Sequence, residues 1–229
     1  MKKYLYILVF VFLASVSYSA QMIRICYTPS GTSPSFLVNQ NFEGTGYDNS
    51  ESWTENGSPD EDYNSTVLRG SQSLGIATNG DYAQSPGVDN SGTTDFFFRF
   101  QTDVIAVSDI IRITNTSDST IGRITLLGDG DLRIYHGTVN SETSDTPVSV
   151  DTTIYIWVDF TPGSGSDGVM HLYHSASITK PGSPDITITT GDVTANLDHI
   201  RCIKATATSL TFIFDQVLID DETIGNVDA

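Results

Sequence analysis

The chain is poor in cysteine, in basic residues and in long apolar runs. Among its 229 residues Cys26 and Cys202 are the two cysteines. A chain of this size buries a core without disulfide staples. Outside the cell the pair could form one bridge, tying the N-terminal segment to a late strand; the alternative is two separate thiols. Lysine and arginine number 11 against 28 acids, a net charge of −17. Such a surface repels nucleic acid phosphates and anionic membranes, so nucleic acid is not expected as a partner. It suits cations, neutral ligands or a salty medium, and solubility alone is the plainer reading. The apolar run Tyr4 to Leu13 is shorter than the roughly 20 residues a bilayer span needs. No stretch carries a useful helical period, and no repeat of 20 to 50 residues occurs. No metalloprotease helix, phosphate loop or nucleophile elbow is present either.

What is there begins with an address. Lys2 and Lys3 precede the short apolar run, and Ala14 to Ala20 is a small-residue exit. Cleavage after Ser19 puts Ser17 and Ser19 where a signal peptidase prefers small residues. Residues 1–19 therefore read as a signal peptide, with an uncleaved anchor as the alternative. A secreted, extracellular or periplasmic protein without a stable membrane span is expected. Residues 20–38 read as an N-terminal arm, and residues 39–229 as one domain, the size of an all-β sandwich.

Within that domain the strands are short and regularly spaced. Phe42 should begin one, before a loop forced by Gly44, Thr45, Gly46, Asp48 and Asn49. Glu55 to Asn64 is polar and acidic, and reads as a surface loop. Asp95 to Gln101 alternates Phe96, Phe98 and Phe100 with Phe97, Arg99 and Gln101. Gly128-Asp129-Gly130-Asp131 is a hairpin turn, because Asp-Gly tolerates positive φ. Thr152 to Ser175 is the clearest unit. Ile154, Ile156, Val158 and Phe160 alternate with Tyr155, Trp157 and Asp159; a Gly/Ser turn follows, and Val169 to His174 runs back. About a dozen strands without helices predict an all-β fold of two packed antiparallel sheets.

Three landmarks in order resemble the concanavalin A-like, laminin-G-like jelly-roll superfamily over roughly residues 40–226. They are Ile124 to Tyr135, Tyr155 to Tyr173 with its central Trp157, and the ending Phe212 to Ile219 with Ile224-Gly225 beyond. The fold implied is a two-sheet antiparallel jelly-roll β-sandwich. The ends also resemble carbohydrate-binding modules, in Asn41-Phe42-Glu43-Gly44 running to Trp53, in Gly70-Ser71-Gln72-Ser73-Leu74, and in a last strand bearing Asp215. The resemblance implies a structural Ca²⁺ held by Glu43 and Asp215, hard oxygen donors that backbone carbonyls would have to supplement. The alternative is that Glu43 caps a turn and Asp215 sits at a bulge.

Retaining glucanases of this fold carry Glu-x-Asp-x-Glu on one strand, which aims all three carboxylates into a cleft. No such string occurs here. Asp220-Asp221-Glu222 splits across both faces, and the alginate-lyase strand motifs are missing. His171 and His174 face opposite sides of their strand. A non-catalytic module is therefore expected, binding a glycan or another surface ligand. On a sheet covered on one side, alternate residues point outward. Arg133, Tyr135, Tyr155, Trp157, His171 and Tyr173 are the candidate ligand-binding strip: rings to stack on sugar faces, polar groups for hydroxyls. The alternative for Trp157 is burial in the core or under a covering loop. A structural or adhesive envelope or virion protein is the competing function, and a polysaccharide-cleaving enzyme a third.

Overall fold

The computed structural model describes residues 36–43, 46–47, 52–142 and 147–227. The expected signal peptide (residues 1–19), most of the expected arm and Cys26 lie outside them. The described chain contains fifteen strands, numbered β1 to β15 in chain order, and no helix. They form two antiparallel sheets packed as a sandwich, as the strand spacing predicts. One sheet runs β13 (Ile186–Gly191), β12 (Gly168–Ser175), β11 (Ile154–Thr161), β6 (Thr94–Thr102), β15 (Phe212–Asp220), β4 (Ser73–Ile76) and β3 (Asp60–Tyr63). Its eighth strand, β1 (Val38–Gln40), pairs with the far end of β15. The other sheet runs β10 (Val139–Glu142), β9 (Leu132–His136), β8 (Thr120–Leu126), β7 (Ser108–Thr114), β14 (His199–Ile203), β5 (Tyr82–Gln84) and β2 (Thr54–Asn56).

The core lies between the sheets. Phe96, Phe98 and Phe100 of β6 meet Phe212 and Phe214 of β15 and Ile156, Val158 and Phe160 of β11. Ile113, Ile124, Leu126, Ile134 and Ile200 face them from the second sheet. Period-two alternation buries one side of each strand and frees the other for function. The β8–β9 turn closes as expected: Leu127 N donates to Asp131 O at 2.8 Å, and Gly130 takes φ 95°.

Two expectations are corrected. Phe42 does not begin a strand. It follows β1 with φ 54°, its ring fully buried, and accepts the strain of that turn to anchor the segment carrying Glu43. The acidic stretch 55–64 is not simply loop, because β2 and β3 fall within or overlap it. Both are edge strands, where acidic side chains stay hydrated while the backbone pairs with β5 and β4.

Candidate functional site

The candidate strip divides between the two outer faces of the sandwich. Tyr155, Trp157, His171 and Tyr173 sit on β11 and β12 of the eight-stranded sheet, Arg133 and Tyr135 on β9 of the other. The expectation of one continuous strip is thereby overturned. Alternation fixes which side of its own sheet a residue faces, but not which sheet its strand joins.

Trp157 points away from the main core and is nevertheless fully buried. It stands in one cross-strand row with Leu218, Phe97 and Tyr173. Residues 224–227 lie over this row, Ile224 packing into it and Gly225 O accepting the indole N–H at 2.9 Å. Trp157 is therefore a small outer core and not a solvent-facing stacking ring. Polar groups clamp the covering segment. Asp95 Oδ2 accepts Ile224 N–H at 3.1 Å, and Lys180 N donates to Asn226 Oδ1 at 3.0 Å. Lys180 Nζ lies 3.1 Å from Asp159 Oδ1 and 4.0 Å from Asp95 Oδ2, over the Tyr173 ring at 4.4 Å.

Burial and the neighbouring Asp159 push the Asp95 carboxyl up to about 7, against the pull of Lys180. Tyr173 O–H donates to Asp159 Oδ2 at 3.0 Å, and His171 Nδ1 is 3.7 Å from the same oxygen. Burial, then the Asp159 charge, raises the Tyr173 phenol to about 12. A phenol meant to take a proton at neutral pH needs the opposite shift. Sequence reasoning missed Asp95 and Lys180. Asp159 was within reach, since it continues the parity of Tyr155 and Trp157.

The outer face of the seven-stranded sheet is open by comparison. Tyr135 and Arg133 alternate with buried Leu132 and Ile134. Arg133 Nη1 donates to Tyr135 Oη at 3.3 Å, and the Arg123 guanidinium of β8 covers the Tyr135 ring at 3.9 Å. A depression of about 310 Å³ opens beside them, lined by Arg123, Tyr135, Thr120, Gly122 and Thr138 among others. Arg123 has no counterpart in the expected strip, because its neighbour Tyr135 is set by β8–β9 pairing.

Glu43 and Asp215 reach the same region of the eight-stranded sheet from opposite ends of the chain. Asp215 is fully buried opposite Arg99, where β15 shifts register and Gln216 takes φ 46°. Its oxygens accept Ser73 Oγ–H at 3.1 Å and Gln216 N–H at 2.7 Å. Glu43 Oε2 accepts both N–H and Oγ–H of Ser71 at 2.9 Å. The segment 70–73 thus links the two carboxylates. Gly70 takes φ 65°, which strains any residue with a Cβ, and lies against the Glu43 carboxylate. Burial pushes the Asp215 carboxyl up to about 7; Gln216 N–H, Ser73 and Arg99 oppose this and Glu43 adds to it. The pair fits a hard cation in charge and donor type. Among the described residues no group of three or more His, Cys, Asp and Glu could hold a metal ion, so backbone oxygens would have to complete the shell. Cys202 is buried in the core, its thiol pushed up by burial. The expected bridge to Cys26 concerns a residue outside the described ones. No helix among the described residues is long and apolar enough to cross a membrane.

No family model and no curated protein sequence matches the chain. Solved structures do resemble it in fold. An endo-β-1,4-glucuronan lyase from Trichoderma reesei superposes with a TM-score of 0.55 at 12% identity, over 82% of this chain and 96% of that one. A PL-14 alginate lyase from Aplysia kurodai gives 0.58 at 8% identity, over 81% and 99%. The binding domain of botulinum neurotoxin serotype D gives 0.58 at 8% identity, over 84% of this chain and 49% of that one. At such identities the likeness establishes the β-sandwich fold alone. Proteins sharing it include polysaccharide lyases and the binding domain of a toxin.

Proposed function

We propose that the chain is a concanavalin A-like, laminin-G-like jelly roll that acts as a secreted, non-catalytic glycan-binding module. The observation that carries this reading is the open outer face of the seven-stranded sheet. There Tyr135, bonded by Arg133, and Arg123 border a depression large enough for a sugar unit. Mostly concave sites with a few well-placed polar groups are where small ligands bind. Glu43 and Asp215, with backbone oxygens, would hold a structural Ca²⁺, which supplies positive charge between two carboxylates of like sign. Residues 1–19 would be removed on export, leaving a mature chain that begins near Ala20.

A polysaccharide-cleaving reading is favoured by one observation, the proximity of Tyr173, His171, Asp159 and Lys180. The raised Tyr173 phenol and the engagement of Lys180 with two carboxylates count against it. A glycan array of the mature protein, run with Ca²⁺ and with chelator, tests the binding reading. Selective retention of glycans, lost in Tyr135→Ala, is the expected result. No retention of any glycan, or release of unsaturated products from a polysaccharide, would overturn it.

A further inference from the structure

An acidic chain has few bases to place, and four of its seven arginines stand on one face. Arg112, Arg123, Arg133 and Arg201 all lie on the seven-stranded sheet, in a molecule whose net charge is −17. Three of them form one cross-strand row. Arg201 of β14 is directly opposite Arg112 of β7, and Arg112 directly opposite Arg123 of β8. Gln84 of β5 continues the row on one side and Tyr135 of β9 on the other. These five positions span roughly 19 Å, four interstrand spacings of about 4.8 Å.

Like charges directly opposite on neighbouring strands destabilise a sheet. Local partners offset part of this. Asp109 binds Arg112 at 2.8 Å, and its other oxygen lies 4.0 Å from Arg123. Asp118 binds Arg201 at 2.7 Å, while Tyr82 stacks under Arg201 at 4.6 Å. Asp109 is thus shared by two guanidiniums. Arg123 is the less neutralised of the pair, and its buried Nε donates to no hydrogen bond among the described residues. Glu142 occupies the register position beside Arg133. Among the described residues, Asp109 and Asp118 are the carboxylates paired with the three arginines of the row.

Resting on the glycan-binding reading, we infer that the ligand of this face is an acidic oligosaccharide, with carboxylate or sulfate groups read by Arg123 and Arg112 and a ring seated in the depression beside Tyr135. Guanidinium forks match such groups bidentately, which a neutral sugar does not exploit. The row's charges lie within a Debye length of about 8 Å of a docked anion, while most of the acidic surface is screened from it. A densely charged polymer such as nucleic acid, with one charge per about 1.7 Å of duplex, still meets the whole negative molecule. A sparsely charged sugar chain does not.

The test is titration calorimetry with a uronic-acid oligosaccharide, its methyl-esterified counterpart and an oligothymidylate of equal charge. The acidic sugar should bind about ten-fold or more tighter than the ester. Its affinity should fall between about 50 and about 200 mM salt. Arg123→Gln should weaken it by a similar factor with an unchanged melting temperature, and Arg123→Lys should restore part of it. Equal binding of acid and ester would overturn the acidic ligand and leave the glycan reading standing. An oligothymidylate as tight as the sugar would overturn it in favour of undiscriminating anion binding. If no glycan of any kind binds, both readings fall together.

Discussion

Trp157 buries its whole ring without entering the space between the sheets. Its neighbours are Phe97 at a ring distance of 5.0 Å, with Leu218 and Ile224 in the same cluster, and its one polar atom is satisfied by Gly225 O. Removing such a side chain should cost about 3 to 5 kcal/mol in Trp157→Ala. Trp157→Phe keeps most of the apolar contact and loses the hydrogen bond, a net effect of about 1 kcal/mol. Denaturant unfolding of the two variants checks this, and a Trp157→Ala protein as stable as the parent would contradict the burial. The outward direction of the ring was legible from its alternation with Ile156 and Val158. The cover was not, because a contact between β11 and residues 224–227 leaves no periodic mark in either segment.

At the scale of elements, the segment 224–227 is a strap, and the loop between β12 and β13 is its buckle. Lys180 holds Asp159 and Asp95 together, and Asp95 in turn holds Ile224 N–H. The Asp95 carboxyl titrates near 7 in the folded chain, against about 3.9 when unfolded. Between those values the folded state binds the extra proton, so this group favours folding at low pH. Its contribution is fully present below about 4 and is lost as pH rises through about 7. Thermal melts should therefore show Asp95→Asn more stable than the parent at about pH 8, with the gap narrowing as pH falls and closing near about pH 4. The reverse order would mean that the carboxylate, not the acid, clamps the strap. The Asp-Gly hairpin and the β11–β12 pair were readable because each is closed locally. The neighbours β7 and β14 were not, so the row from Arg112 to Arg201 stayed invisible although each arginine sits at an ordinary outward position of its strand.

Across the whole molecule, the two ends of the domain meet at the Glu43 and Asp215 carboxylates. One follows β1 and the other interrupts β15, the strand that β1 pairs with, so the first and last strands of the eight-stranded sheet bring them to one region. Sequence resemblance pointed to this pair. The caps on Ser71 and Ser73 and the opposed Arg99 emerge only from the fold. Without metal, Asp215 bears a burial penalty that a neutral amide of the same shape escapes, and its carboxyl is pushed up to about 7. Asp215→Asn should then melt above the parent at pH 8 in chelator. A Ca²⁺ bound only to the folded state adds about 2.7 kcal/mol at 100 times its dissociation constant. With saturating Ca²⁺ the parent should rise and Asp215→Asn should not, so that their order reverses. Glu43→Gln should likewise lose the calcium response, without the gain in chelator, because Glu43 is exposed and its charge is hydrated. Scanning calorimetry of the three proteins with and without Ca²⁺ separates the cases: a parent curve indifferent to the ion removes the metal, and leaves the Asp215 charge opposed by Arg99 across the β15–β6 pair.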